Sequence, residues 1–156
     1  AMNIDIKAFT EDFYRRICKG SLSDVLRTVE ISAGRCHIEI TNLIIHGLND
    51  DIQDMKRLAR WIANISPDIP LHISRYFPNY RMDIPASPID VLFSLADAAR
   101  QILNYVYIGN VPGTDNDTYC PQCGSRLIER KYKISANGIR DGKCKSCHRT
   151  VSNIIL

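Results

Sequence analysis

Four of the six cysteines fall in two pairs near the C-terminus, Cys120-Pro-Gln-Cys123 and Cys144-Lys-Ser-Cys147, with twenty residues between the pairs. Two residues between thiolates let one tight turn present both sulfurs to one ion. Two such turns complete a closed tetrahedral site of four sulfurs. Gly124 suits the turn by which backbone N–H groups approach the sulfurs. Zinc is the expected occupant. The same four ligands suit iron, and a redox disulfide pair is the third reading. No ligand position is left open, so the expected role is structural, and so short a stretch needs its ion to fold. His148 follows the last ligand and is expected to be solvated rather than a fifth ligand. Cys18 and Cys36 stand alone in the sequence and are expected to be inert buried thiols.

The elements ahead of this site alternate between two hydrophobic periods. Apolar side chains recur at every second position in NIDIKA (3–8), HIEITNLII (37–45), PLHISRYF (70–77) and YVYIGN (105–110). Helical spacing fills the intervals. It predicts a helix from Glu11 to Lys19 capped by Thr10 and a second from Ser21, where Ser21 and Asp24 resemble a capping box. A third is predicted over 50–64 with Asn49 as cap, and a fourth after Ser87-Pro88. Between the cysteine pairs, RLIERKYKI and the Asn137-Gly138 turn suggest a hairpin.

Alternating strands and helices imply a parallel sheet with right-handed crossovers. One face carries Ile4, Ile6, Ile38, Ile40, Leu71, Ile73, Val106 and Ile108, and belongs under helices. The other carries Asp5, Lys7, Glu39, Thr41, His72, Ser74, Tyr105 and Tyr107, and must see water, a ligand or the lumen of a barrel. Ligands in such folds bind at the C-terminal ends of the strands, which here means Lys7, Asn42, Ser74, Arg75 and Gly109. The bland alternatives are that Asp5 and Lys7 pair with each other or with their neighbours, and that His72 is a satisfied structural histidine.

Composition separates the chain further. From Tyr119 onward eight Lys/Arg face two Asp/Glu, leaving +6, whereas the first 118 residues carry −3. No run of about 18 apolar residues occurs, so no membrane span is expected. Nothing has the form of a signal peptide, Ala1 before Met2 reads as a tag remnant, and the cytoplasm is the expected compartment.

Several phrases, NIDIKAF, ITNLIIHGLNDD, PLHISRYFPNYRM and above all NYVYIGNVPG followed by TYCPQCGSRLI, resemble the second half of the AmmeMemoRadiSam-system radical SAM proteins. These are relatives of the pyruvate formate-lyase activating enzyme. The resemblance implies a partial (β/α) barrel. It places Asp5 and Lys7 on a DxK motif at the end of the fourth barrel strand, and His72 on the sixth, both bordering the S-adenosylmethionine site. His46-Gly47-Leu48-Asn49-Asp50 carries His where the family has Pro. The family's CxxxCxxC loop, which holds a [4Fe–4S] cluster, does not occur in these residues.

The fold class expected is α/β. Residues 2–113 form a barrel fragment of about four parallel strands with helices on one face, and 114–156 form a zinc ribbon with Cys120, Cys123, Cys144 and Cys147 as its four ligands. The function expected is the C-terminal portion of an activating-enzyme-like radical SAM protein, with Asp5, Lys7 and His72 on the cofactor face and no catalytic competence alone. S-adenosylmethionine and the [4Fe–4S] cluster enter only through the resemblance. The alternative is a non-catalytic zinc-ribbon module that binds a protein or nucleic acid. The expected partner is the absent half or a second copy across the free edge of the first strand. Nucleic acid is weighed against, because a tetrathiolate zinc centre carries −2 that some basic side chains offset. Only Tyr119 and Tyr132 could stack on bases.

Overall fold

A computed structural model describes residues 1–131 and 133–151 of the chain; Tyr132 and 152–156, which belong to the expected ribbon, lie outside the described residues. The chain divides into two compact units, Ala1–Pro112 and Gly113–Leu156.

The first unit contains β1 (Met2–Asp5), α1 (Glu11–Phe13) running into a π-helical turn (Tyr14–Cys18), α2 (Leu22–Ala33) and β2 (Ile38–Ile44). It continues with α3 (Ile52–Ile65), β3 (Leu71–Arg75), α4 (Ile89–Arg100) and β4 (Val106–Gly109). The four strands form one parallel sheet in sequence order, β1-β2-β3-β4. That order is what successive right-handed β-α-β crossovers produce when each strand adds beside the last.

The apolar face is buried as the alternation requires. Ile6, Ile40, Ile44, Leu71, Ile73 and Ile108 are almost fully removed from water, and Met55, Leu58 and Ile62 of α3 and Leu92 and Leu95 of α4 lie in the same core. The polar face is half-buried or exposed along β2, β3 and β4. Tyr105 is an exception, buried just ahead of β4. Asn42 corrects the expectation that it faces the site. It shares the parity of Ile40 and Ile44, is buried beneath the sheet, and donates through Nδ2 to the Ile6 carbonyl at 2.6 Å.

Several helix starts differ from the sequence expectation because long-range partners claim the capping side chains. α3 begins at Ile52, where Asp51 Oδ1 accepts from the N–H groups of Gln53 and Asp54. Asn49 is engaged elsewhere. Ser87 does not cap α4 either; its hydroxyl donates to the Ile44 carbonyl and accepts from His46 N–H. Ser21 does cap α2, but the reciprocal partner is Glu11, whose carboxylate accepts from Leu22 and Ser23. β1 ends early as a ladder strand. Ile6 N–H still reaches Thr41 O, but Lys7 N–H goes to the Tyr14 hydroxyl at 3.0 Å.

The second unit holds β5 (Thr118–Tyr119) paired antiparallel with β6 (Arg126–Ile128), and β7 (Ile139–Arg140) paired with β8 (Lys143–Cys144). Asn137-Gly138 forms the expected turn, with Ile139 N–H donating to the Ala136 carbonyl at 3.1 Å, but the β7–β8 hairpin turns at Asp141-Gly142, both in the left-handed region. Gly138 passes so close to β6 that a Cβ would sit 2.1 Å from the Arg126 carbonyl oxygen. Among the described residues no helix is long and apolar enough to cross a membrane.

Candidate functional site

Strand register sets Asp5, Thr41, His72 and Tyr107 side by side across the open face. Asp5 and Lys7 form an ion pair at 3.0 Å, each side chain more than a third exposed. Such a pair contributes little stability, since water screens it. His72 lies one pleat below the C-terminal row of Ser74 and Gly109. Its Nε2 meets Glu39 Oε2 at 2.9 Å and its ring stacks on Tyr107 at 5.3 Å. His37 Nε2 meets the other Glu39 oxygen at 3.3 Å. His72 is thus a satisfied histidine, level with Asp5 rather than at the strand end.

Burial would raise the Glu39 carboxyl, but its hydrogen bond to His37 and the charge and hydrogen bond of His72 outweigh it, holding the carboxyl below its usual range. A depressed folded pKa contributes stability above the unfolded value, about 4.3, that is lost as pH falls through the folded value. Wild type is therefore expected to exceed Glu39→Gln in Tm at neutral pH, with the gap closing as pH falls below about 4. A constant Tm gap down to about pH 2 would contradict this.

Residues at or just past the C-terminal ends of β1, β2 and β3 border a groove of about 400 Å³ whose lining includes Lys7, Cys18, Leu43, Tyr76, Tyr80 and Met82. Asn49 braces its floor. Its Nδ2 donates to the carbonyls of Lys7 (2.5 Å) and Leu43 (2.8 Å), and its Oδ1 accepts from Ile45 N–H (2.7 Å). The adjoining loop is closed by Asp50, which accepts from Gly47 N–H and meets His46 Nδ1 at 2.5 Å. Arg75 turns away from the sheet, donating to the Ser87 carbonyl, with its guanidinium 4.8 Å from the Phe77 ring.

Cys18 overturns the expectation of a buried thiol: it is exposed, on the last turn of the π-helical segment, and lines the groove. Burial around its sulfur nevertheless pushes its pKa up, against the Lys7 charge. Cys36 is half-buried. Sequence reasoning missed the wall formed by Tyr76 and 79–82. The turn-forming Pro78-Asn79 after a strand was the available signal. Asn79 and Met82 are bridged, and Tyr80 is left-handed and largely exposed.

In the second unit the sulfurs of Cys120, Cys123, Cys144 and Cys147 all lie within 4.8 Å of one another. Cys120 and Cys147 are 3.6 Å apart, Cys123 and Cys144 3.8 Å. A tetrahedral ion with metal–sulfur bonds of about 2.3 Å requires sulfur–sulfur edges of about 3.8 Å, so the four residues fit one ion.

The two knuckles share one backbone pattern. Cys120 O accepts from Gly124 N and Cys144 O from His148 N, while Cys120 N donates to Ser125 O and Cys144 N to Arg149 O. Gly124 (φ 72°) and His148 (φ 61°) occupy the matching left-handed position. His148 is therefore a turn residue, of a type that tolerates this conformation better than most.

Donors surround the sulfurs unevenly. The Ser125 hydroxyl, 3.4 Å away, and the Ser125 N–H bring the Cys123 thiol down to about 6. Backbone N–H groups of residues 147 and 146 lower Cys144. The Arg149 N–H also favours the Cys147 thiolate, but burial and the neighbouring sulfurs overcome it and push that thiol up to about 12. Thiolates so close repel one another, and a cation among them would offset that repulsion.

No family model matches the chain. An uncharacterized protein of Methanocaldococcus jannaschii is 39% identical over 99% of the chain, which spans 49% of that protein's length. A solved structure of TYW1, a radical SAM enzyme, with a lysine-pyruvate adduct bound superposes with a TM-score of 0.51 at 23% identity. The match covers 67% of this chain and 35% of that one, more residues than the second unit contains. The fold is similar to that of TYW1 over the matched part. At this identity the likeness concerns fold alone. The chain spans about half the length of the curated relative it matches.

Proposed function

We propose that the chain supplies the C-terminal barrel portion of a radical SAM protein of the activating-enzyme type, with a structural zinc in its second unit. The observation that carries this reading is the groove at the C-terminal side of a parallel sheet whose fold is similar to that of TYW1, with Lys7 in its wall. Lys7, in the groove wall and paired with Asp5 at 3.0 Å, would offer a cation toward an amino-acid-like cofactor such as S-adenosylmethionine, and Leu43, Tyr76 and Met82 would give it an apolar wall. His72, one pleat lower and held by Glu39, would shape the lumen from beneath. The cluster that supplies the reducing electron when bound would be held by a cysteine loop absent from these residues, so the chain alone is not competent. The absent half would pair with the free edge of β1; a second copy is the other occupant considered.

Anaerobic iron–sulfide reconstitution tests this. The chain alone is expected to give no [4Fe–4S] spectrum and no reductive cleavage of S-adenosylmethionine. Co-expression with the remaining half of the Methanocaldococcus jannaschii relative is expected to restore cleavage, and Lys7→Ala to reduce it at least about tenfold, as loss of a charged contact does. A stoichiometric cluster on the isolated chain, or an unaffected Lys7→Ala, refutes the assignment.

A further inference from the structure

The second unit carries more positive charge than its metal site can use. From Gly113 to Leu156 eight Lys/Arg stand against four Asp/Glu (Asp115, Asp117, Glu129 and Asp141), leaving +4, and a tetrathiolate centre with a divalent ion brings this to +2. Three of the four acids of this unit are engaged elsewhere: Asp115 accepts from the Tyr119 hydroxyl and the Asp117 N–H, and Asp117 and Glu129 lie near β6, while Asp141 sits in the β7–β8 turn. Arg126 pairs with Asp117 and Glu129, and Arg130 N–H donates to Asp117. Arg140, Lys143 and Lys145 form no ion pair among the described residues.

These three lie together. With Asp141, His148 and the edge of Cys144 they line an open cleft of about 470 Å³. Arg140 and Lys143 are directly opposed across the β7–β8 pair, an arrangement that costs stability unless an anion sits between the like charges. Strand alternation decides what the lysines serve. Cys144 is fully buried and directs its sulfur inward, whereas Lys143 and Lys145 on either side of it are exposed on the opposite face. They point away from the thiolates they would otherwise be expected to offset.

We propose that this hairpin face binds the phosphate backbone of a nucleic acid. The lining lacks the exposed aromatic or methionine anchors that a protein partner's interface core uses, and carries three phosphate-binding side chains, Arg140, Lys143 and Lys145, against one acid, Asp141. Tyr119, the exposed aromatic of this unit among the described residues, does not line the cleft and is tied through its hydroxyl to Asp115, so the contact expected of this cleft is to backbone rather than stacked bases, without sequence preference. The site is independent of the radical SAM reading and requires only that the second unit be folded.

The test is fluorescence anisotropy of a labelled single strand of about 20 nucleotides, RNA and DNA in parallel, titrated with the metal-loaded full chain. Three phosphate contacts give a slope of log K against log salt near −2, so binding is expected to weaken about 15- to 20-fold between 50 and 200 mM salt. Arg140→Gln/Lys143→Gln/Lys145→Gln is expected to lose both the binding and the salt dependence while keeping its metal. Lys143→Arg/Lys145→Arg should bind as wild type, as should Arg60→Gln in α3. Metal content reports folding, and if the triple variant loses metal, Lys143→Gln and Lys145→Gln singly must each reduce the slope by about one third. No binding at about 50 mM salt, metal-loaded charge variants that bind as wild type, or equal competition by polyglutamate would each overturn the proposal.

Discussion

Removing the metal is expected to unfold the second unit and leave the helical signal of the first. The buried core of the second unit is Cys120, Leu127, Ile128, Cys144 and Val151, so two of its five members are ligands. Its strands are two or three residues long. Such strands cannot offset the backbone entropy they give up, which is about 1–2 kcal/mol per residue. Structural zinc supplies an apparent ~10–16 kcal/mol in small Cys-rich domains, as much as the whole stability of an ordinary domain or more.

Metal analysis should therefore find one zinc per chain, and Cys123→Ser/Cys144→Ser should find none. In that variant, or with a chelator, proteases should cut within 113–151 while the helices, all within Ala1–Pro112, keep their far-ultraviolet signal. Because ligand thiols must lose protons, zinc affinity should fall as pH drops, with protons released on loading. Zinc retained by the double variant, or an unchanged cleavage pattern in chelator, would contradict the assignment. Stoichiometric iron in place of zinc would keep the geometry and change the ion.

The second large effect is expected at Asn49. Truncation to Ala removes three hydrogen bonds at once and strands two carbonyls and an N–H at the ends of β1 and β2. Each bond contributes about 1 kcal/mol net, and each group left buried without a partner costs about 1–3 kcal/mol. Water at the groove can recover part of this, so a loss of about 2–4 kcal/mol is expected. Asn49→Asp should not rescue it, since a carboxylate keeps the bond from Ile45 but sets oxygen against the carbonyls of Lys7 and Leu43. Denaturant unfolding measures both variants, and a loss below about 1 kcal/mol in Asn49→Ala would show that the carbonyls find other donors. The variant should also loosen Lys7, whose carbonyl Asn49 holds.

Hydrophobic period was a sufficient guide to the sheet. Isoleucines and leucines at every second position in four segments predict four strands with one buried face, and that face is buried. The cysteine spacing likewise predicted four converging sulfurs, because two residues between thiolates are enough for a knuckle whatever the rest of the chain does. Both signals are local, set by the geometry of consecutive residues.

Tertiary structure decided what local pattern could not. Asn49 and Ser87 have the chemistry of caps, but they bridge residues up to 43 positions distant, so Asp51 caps α3 in place of Asn49. Asn42 has the chemistry of a site residue, but its parity sends it beneath the sheet to a carbonyl 36 residues away. His72 was legible as a polar-face residue; its partner Glu39, 33 positions off, was not. The groove wall and the outward-facing lysines follow from how segments meet, which depends on the sum of many weak long-range contacts. Sequence alone determined the parallel sheet with one covered face and the metal-binding geometry of the cysteines. Only the folded chain decided which polar side chains hold the structure together and which remain available to a ligand.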